Sequence, residues 1–224
     1  MAELVYVDEQ HAQANQVLRS AVGSAQFTQD EVVKVIPAAS IDETIDVILS
    51  HHCKVLITDY RLSEHKADVE FTGADLVREF QRRFDRFPCF VTTAFAEEAA
   101  DDELDTNIIF PKSDFLSVEL TDEPMHASDL PFFLRVRKKI NEYEAFVANT
   151  TQELEQLRVK SENEELSAEE AERLIQLDDL VEAMFGNHHA VESHLKRQAL
   201  DPFQRIIDKA EALILKIERE IDPT

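Results

Sequence analysis

Four polar positions in the first half of the chain each end a short apolar run. Asp8 and Glu9 follow Leu4-Val5-Tyr6-Val7, Asp59 follows Val55-Leu56-Ile57-Thr58, Thr93 follows Phe90-Val91-Thr92, and Lys112 follows Ile108-Ile109-Phe110-Pro111. Grouped carboxylates can hold a divalent cation through oxygen. A carboxylate can also act as a nucleophile toward a phosphoryl group, whose oxygens an ammonium and a hydroxyl would bind. The four segments must converge for this chemistry to occur. A parallel sheet would bring them together, because ligands bind outside the carboxyl ends of its strands.

The elements that must position these residues follow from the spacing of apolar side chains. Short β-rich runs alternate with helical stretches, so strands are expected at 3–7, 32–36, 55–58, 89–93 and 107–110. A helix over 9–22 carries Ala14, Val17, Leu18, Ala21 and Val22 at helical spacing, with Gly23 as its closing residue. Ser40 and Glu43 make a capping-box start for a helix ending near His51 and His52. A long polar connection over 61–71, with His65, Lys66 and Asp68, is expected to be a solvated insertion, the alternatives being a cover for the pocket or a partner-binding loop. The next helix starts near Thr72-Gly73 and carries Leu76, Val77, Phe80 and Phe84, and a short acidic helix is expected near 95–104. The fold class is α/β, a flavodoxin-like doubly wound five-stranded parallel sheet followed by an all-α region.

Composition narrows the chemistry. With 224 residues and 44% hydrophobic content the chain can bury a real core, as one large or two modest domains. A formal net charge of -23 argues against a nucleic-acid partner, which would need a surplus of Lys and Arg. The three glycines, Gly23, Gly73 and Gly186, are scattered, so a phosphate-cradling loop of backbone amides is excluded and any phosphate chemistry must rest on side chains and a metal. Cys53 and Cys89 lie beside predicted strands and read as small buried residues, with no zinc or redox spacing. No apolar run is long enough to span a bilayer and no leader pattern opens the chain, so a soluble cytoplasmic protein is expected.

Val7-Asp8-Glu9, Ile57-Thr58-Asp59, Val91-Thr92-Thr93-Ala94 and Phe110-Pro111-Lys112-Ser113 together resemble the receiver domain of two-component response regulators. That resemblance covers residues 1 to about 140. It implies that Asp59 is the phosphoacceptor and that Thr93 and Lys112 bind the phosphoryl oxygens. It further implies that Asp8, Glu9, Asp59 and the backbone carbonyl of Arg61 ligate Mg2+. The donor would be a histidine kinase or phosphotransfer protein, and the chain would not be an enzyme beyond its own phosphorylation and dephosphorylation. The sequence departs from the family where Pro111 precedes rather than follows Lys112, and where Ile109 stands in place of the switch aromatic.

The second half reads as helices. Ser128 or Asp129 with Pro131 starts a long helix whose residues Phe133, Val136, Ile140, Tyr143, Val147, Thr150, Leu154 and Leu157 follow heptad steps. Its first turns would serve as the last receiver helix. The remainder would form a homodimeric coiled coil or pack on its downstream neighbours. Ser167 and Glu170 cap a further helix closed by Gly186, and Asp201-Pro202 opens another. The expected organisation is therefore 1–127 receiver-like, 128–165 a long helix, and 166–224 a helical region. His188, His189 and His194 are read as a solvated helix start, although His194-Leu195-Lys196 resembles a phosphotransfer histidine. The expected function is a phosphorylation switch acting on dimerisation or on a protein effector through the helices. The alternative is a pseudo-receiver scaffold independent of phosphate. A phosphohydrolase is disfavoured because Arg61 stands where a second acid would be needed.

Overall fold

Strands β1 (Leu4–Val7), β2 (Val32–Val35), β3 (Val55–Asp59), β4 (Cys89–Thr93) and β5 (Ile109–Pro111) form one parallel sheet in the order β2-β1-β3-β4-β5. These come from a computed structural model that describes residues 2–64, 66–94, 106–115 and 131–186. Helices α1 (His11–Gly23), α2 (Ile41–Ser50), α3 (Gly73–Arg83), α4 (Phe132–Asn163) and α5 (Ala168–Phe185) complete the described elements. The chain divides into two compact units, Met1–Phe146 and Val147–Thr224.

Alternation along each strand explains the two layers of the first unit. Leu4, Tyr6, Val55, Ile57, Phe90 and Phe110 point to one face, where they pack with Ala14, Val17 and Ala21 of α1 and with Phe132, Phe133, Val136 and Ile140 of α4. Val5, Val7, Val35, Leu56, Cys89 and Val91 point to the other, against Ile45 and Ile48 of α2 and Leu76, Val77 and Phe80 of α3. Covering both faces is what makes β1, β3 and β4 continuous buried runs rather than alternating ones. Local chemistry sets the helix starts. Ser40 Oγ accepts from the Glu43 N–H at 3.2 Å, and Thr72 with Asp75 forms a reciprocal capping box before α3.

Three expectations need correction. Gly23 is the last residue of α1 but not its left-handed terminator; Ala25 takes that conformation, with φ 57°. β5 begins at Ile109, two residues later than the expected start at 107, after a 3-10 turn over Thr106–Ile108. The connection 61–71 is not a solvated insertion, because Leu62, Val69 and Phe71 are buried with the α2 and α3 layer. Lys66 Nζ also donates to the carbonyl of Pro37. The polar residues of this segment disguise three apolar anchors.

Heptad positions Phe133, Val136, Ile140, Tyr143, Leu154 and Leu157 of α4 pack within the chain. Phe133, Val136 and Ile140 belong to the sheet core, and Tyr143 meets Phe87 edge to face at 5.7 Å. Arg137 fastens the same turns, pairing with Glu3, donating to the Gln26 carbonyl and lying over the Phe27 ring. In the second unit Leu154 packs with Leu174 and Leu177 of α5, with Leu157, Leu166 and Val181 around them. Ion pairs Arg158–Asp178, Lys160–Glu170 and Arg173–Glu153 flank that cluster. Ser167 and Glu170 make the expected capping box, and Gly186, with φ 92°, ends α5. Among the described residues no helix is long and apolar enough to cross a membrane. The acidic segment 95–104, His65, Ser128, Asp129, His188, His189, His194 and the helix expected after Asp201 lie outside the described residues.

Candidate functional site

Asp8 leaves the end of β1 fully buried. Its backbone N–H donates to the Val35 carbonyl at 3.2 Å, which continues the sheet one residue past the strand. Oδ1 accepts the Gln10 N–H at 2.7 Å, so half of this carboxylate organises the chain entering α1. Oδ2 accepts from the Tyr6 hydroxyl at 3.0 Å and lies 3.8 Å from Lys112 Nζ. Helix-start and pocket roles are thus divided between two oxygens of one side chain. Glu9 is half-buried beside it, with Gln10 Nε2 donating to its Oε1 at 3.4 Å.

Asp59 ends β3 and is 5% exposed. The backbone beyond it is held by two bonds, Tyr60 N–H to the Thr92 carbonyl and Gly73 N–H to the Tyr60 carbonyl, each 2.8 Å. Lys112, the first residue of a 3-10 turn after β5, brings Nζ to 2.9 Å from Asp59 Oδ1 and also donates to Gln13 Oε1 of α1. The peptide bonds of the described residues are all trans, including Lys112–Ser113.

Asp8, Glu9 and Asp59 each offer a carboxylate oxygen, and these oxygens lie within 4.8 Å of one another. At that spacing, two like charges under an effective dielectric near 20 repel by about 3 kcal/mol. Lys112 offsets part of this. Burial is the larger effect on Asp59, pushing its carboxyl up to about 6, with Lys112 opposing the shift and Asp8 and Glu9 adding to it. The Tyr6 phenol is likewise driven upward, first by burial and then by the neighbouring Asp8 charge, so it stays a neutral donor. An all-oxygen set of three carboxylates with one ammonium fits a hard divalent cation such as Mg2+, which binds through one or two carboxylates and retains waters.

The remaining sequence candidates are placed less centrally. Thr93 is buried at the end of β4, one residue beyond the Asp59–Thr92 pair and opposite Pro111. Arg61 follows in the connection after β3, and its guanidinium lies 3.9 Å from Glu64. At the switch-aromatic position Ile109 is half-buried against the α2 and α3 layer. The aromatic of β5 is Phe110, which faces the opposite core and packs on Phe90 and Phe132. In the second unit Asp178, Asp179 and Glu182 of α5, all half-buried, also cluster.

Four residues of the site escape a reading based on apolar runs. Tyr6 is counted among the apolar residues of β1, yet its hydroxyl reaches Asp8; period two along the strand puts both on one side. Thr92 lies 3.4 Å from the Tyr6 hydroxyl and donates to the Thr58 carbonyl. Gln13 has no signal except its place in the first turn of α1. Gly73 does have one, as the only glycine between the phosphoacceptor candidate and β4. A Cβ there would sit 2.0 Å from the Asp59 carbonyl oxygen.

No protein family and no curated protein matches the chain. Among solved structures it is similar to the crystal structure of anti-anti-sigma factor PhyR from Bartonella quintana, at 17% identity and a TM-score of 0.42. The match covers 68% of this chain and 52% of that one, so the chain spans about half the length of that structure. Sheet order and the carboxyl-end pocket decide the architecture. The first unit has the flavodoxin-like doubly wound fold. Helices follow it, as the apolar spacing of the second half predicts.

Proposed function

We propose that this chain is an atypical response regulator in which Asp59 accepts a phosphoryl group with the help of Mg2+. The convergence of Asp8, Glu9 and Asp59 within 4.8 Å, with Lys112 Nζ 2.9 Å from Asp59, carries this reading. Asp8, Glu9, Asp59 and the carbonyl of Arg61 would hold the metal. When bound, Mg2+ neutralises charge between the carboxylates and an incoming phosphoryl group.

An Asp59 carboxylate oxygen attacks the phosphorus of a phosphohistidine on a histidine kinase or phosphotransfer protein. The O–P bond forms, the P–N bond breaks, and the imidazole nitrogen leaves with the bonding pair and takes a proton, giving an acyl phosphate. In the metal-free protein Asp59 is ionised above a pH of about 6, and a bound cation would favour the attacking carboxylate further. Lys112 then exchanges Asp59 for a phosphoryl oxygen, and the Thr93 hydroxyl donates to another. The output is protein contact, through a homodimer or an effector engaged by the helices. The net charge of -23 supports a protein rather than a nucleic-acid partner.

Incubating the full chain with phosphoramidate or acetyl phosphate and Mg2+ tests the reading by intact-mass spectrometry. A phosphoryl adduct is expected that disappears in Asp59→Asn and on chelation. Absence of any adduct would overturn the switch and leave the phosphate-independent scaffold.

A further inference from the structure

Directly beneath the acidic pocket lies a buried phenol. Tyr6 is fully buried in the core cluster with Ile57, Phe90 and Phe110. A phenylalanine would fill that volume without asking for a polar partner, whereas a buried hydroxyl is costly unless bonded. This hydroxyl is satisfied by the pocket itself, donating to Asp8 Oδ2 at 3.0 Å and resting 3.4 Å from Thr92 Oγ1. Thr92 in turn donates to the Thr58 carbonyl at 3.2 Å. The phenol is therefore bonded to the end of β1 and packed beside Thr92 of β4, whose own hydroxyl is bonded to β3. With the Gln10 N–H on Oδ1 at 2.7 Å, both oxygens of Asp8 are held and the plane of its carboxylate is set.

We propose that Tyr6 is a positioning residue for the divalent-cation site, holding the Asp8 carboxylate in the orientation that brings it within reach of Glu9 and Asp59. The inference rests on the metal-binding reading above and extends it to a residue that touches neither cation nor phosphoryl group. A fixed ligand loses little freedom on binding. Outer-shell partners of this kind change metal affinity by about ten- to a hundredfold when removed.

Mn2+, as a spectroscopic stand-in for Mg2+, is titrated into the full chain as wild type, Tyr6→Phe, Thr92→Val and Asp8→Asn. The Gln10 amide resonance is recorded in the metal-free proteins. Wild type should bind Mn2+ and Asp8→Asn should not. Tyr6→Phe should keep its far-ultraviolet spectrum, bind roughly tenfold more weakly and shift the Gln10 amide, because Oδ1 and Oδ2 belong to one rigid group. Thr92→Val should weaken binding by a smaller factor and move the same resonance. A folded Tyr6→Phe with wild-type affinity overturns the positioning role and leaves the pocket reading intact. Absence of Asp8-dependent binding in wild type overturns that reading and this inference with it. If Tyr6→Phe does not fold, Thr92→Val decides: unchanged affinity and an unmoved Gln10 resonance overturn the proposal.

Discussion

A methyl group at position 73 would lie 2.0 Å from the Asp59 carbonyl oxygen and 2.9 Å from its carbonyl carbon, both backbone atoms that cannot rotate away. Gly73→Ala must therefore move α3 or distort the end of β3. Denaturant unfolding should show a loss of about 1–3 kcal/mol or more, and the phosphoryl adduct should fall with it. Asp59 makes a second prediction, in the metal-free protein. Its carboxyl is raised from 3.8 to about 6, so the protonated form suits the fold. That contribution is fully present below 3.8 and is lost as pH rises through about 6. Wild type should therefore lose stability relative to Asp59→Asn between about pH 4 and 7, by roughly 3 kcal/mol, and Mg2+ should narrow the gap. Asp8, Asp59 and Lys112 are legible in the sequence because a polar residue ending an apolar strand in a parallel sheet must emerge at one rim. Gln13 and Tyr6 are not, since their roles depend on which atoms lie across a helix or beneath a strand.

At the scale of elements, periodicity finds the strands and helices, but it misses how they are closed. Gly23 looks like a terminator, yet a Cβ there meets nothing within 4 Å, while Ala25 holds a left-handed φ of 57°. Gly23→Ala and Ala25→Gly should each raise the unfolding midpoint, by up to about 1 kcal/mol in stability. The heptad spacing of α4 is likewise ambiguous, since a coiled-coil stripe and a core-facing stripe look alike over a few turns. Ile140 belongs to the sheet core and is 1% exposed. Ile140→Glu would bury an unpaired charge there and should unfold the first unit rather than dissociate a folded dimer. Circular dichroism and sedimentation together distinguish these outcomes. The connection 61–71 is misread for a different reason. Its anchors Leu62, Val69 and Phe71 have no period, because an irregular segment need not repeat.

For the whole molecule the dominant quantity is charge. A balance of -23 self-repels across the folded surface, and salt screens such repulsion over a Debye length of about 10 Å at 0.1 M. Thermal unfolding should shift upward as monovalent salt rises from low ionic strength, although the surface ion pairs weaken, because isolated pairs contribute only about 0–1 kcal/mol each. Charge is read directly from composition. The division between Phe146 and Val147 is not, because it falls inside the unbroken helix α4 where neither proline nor glycine punctuates the chain.

Leu62, Val69, Phe71 and the Lys66–Pro37 bond fasten the described residues of the connection that follows Asp59. A docking protein that lands on that rim meets backbone whose conformational freedom was already surrendered during folding. Association there need not lose that entropy a second time, so recognition can proceed with little rearrangement of the surface.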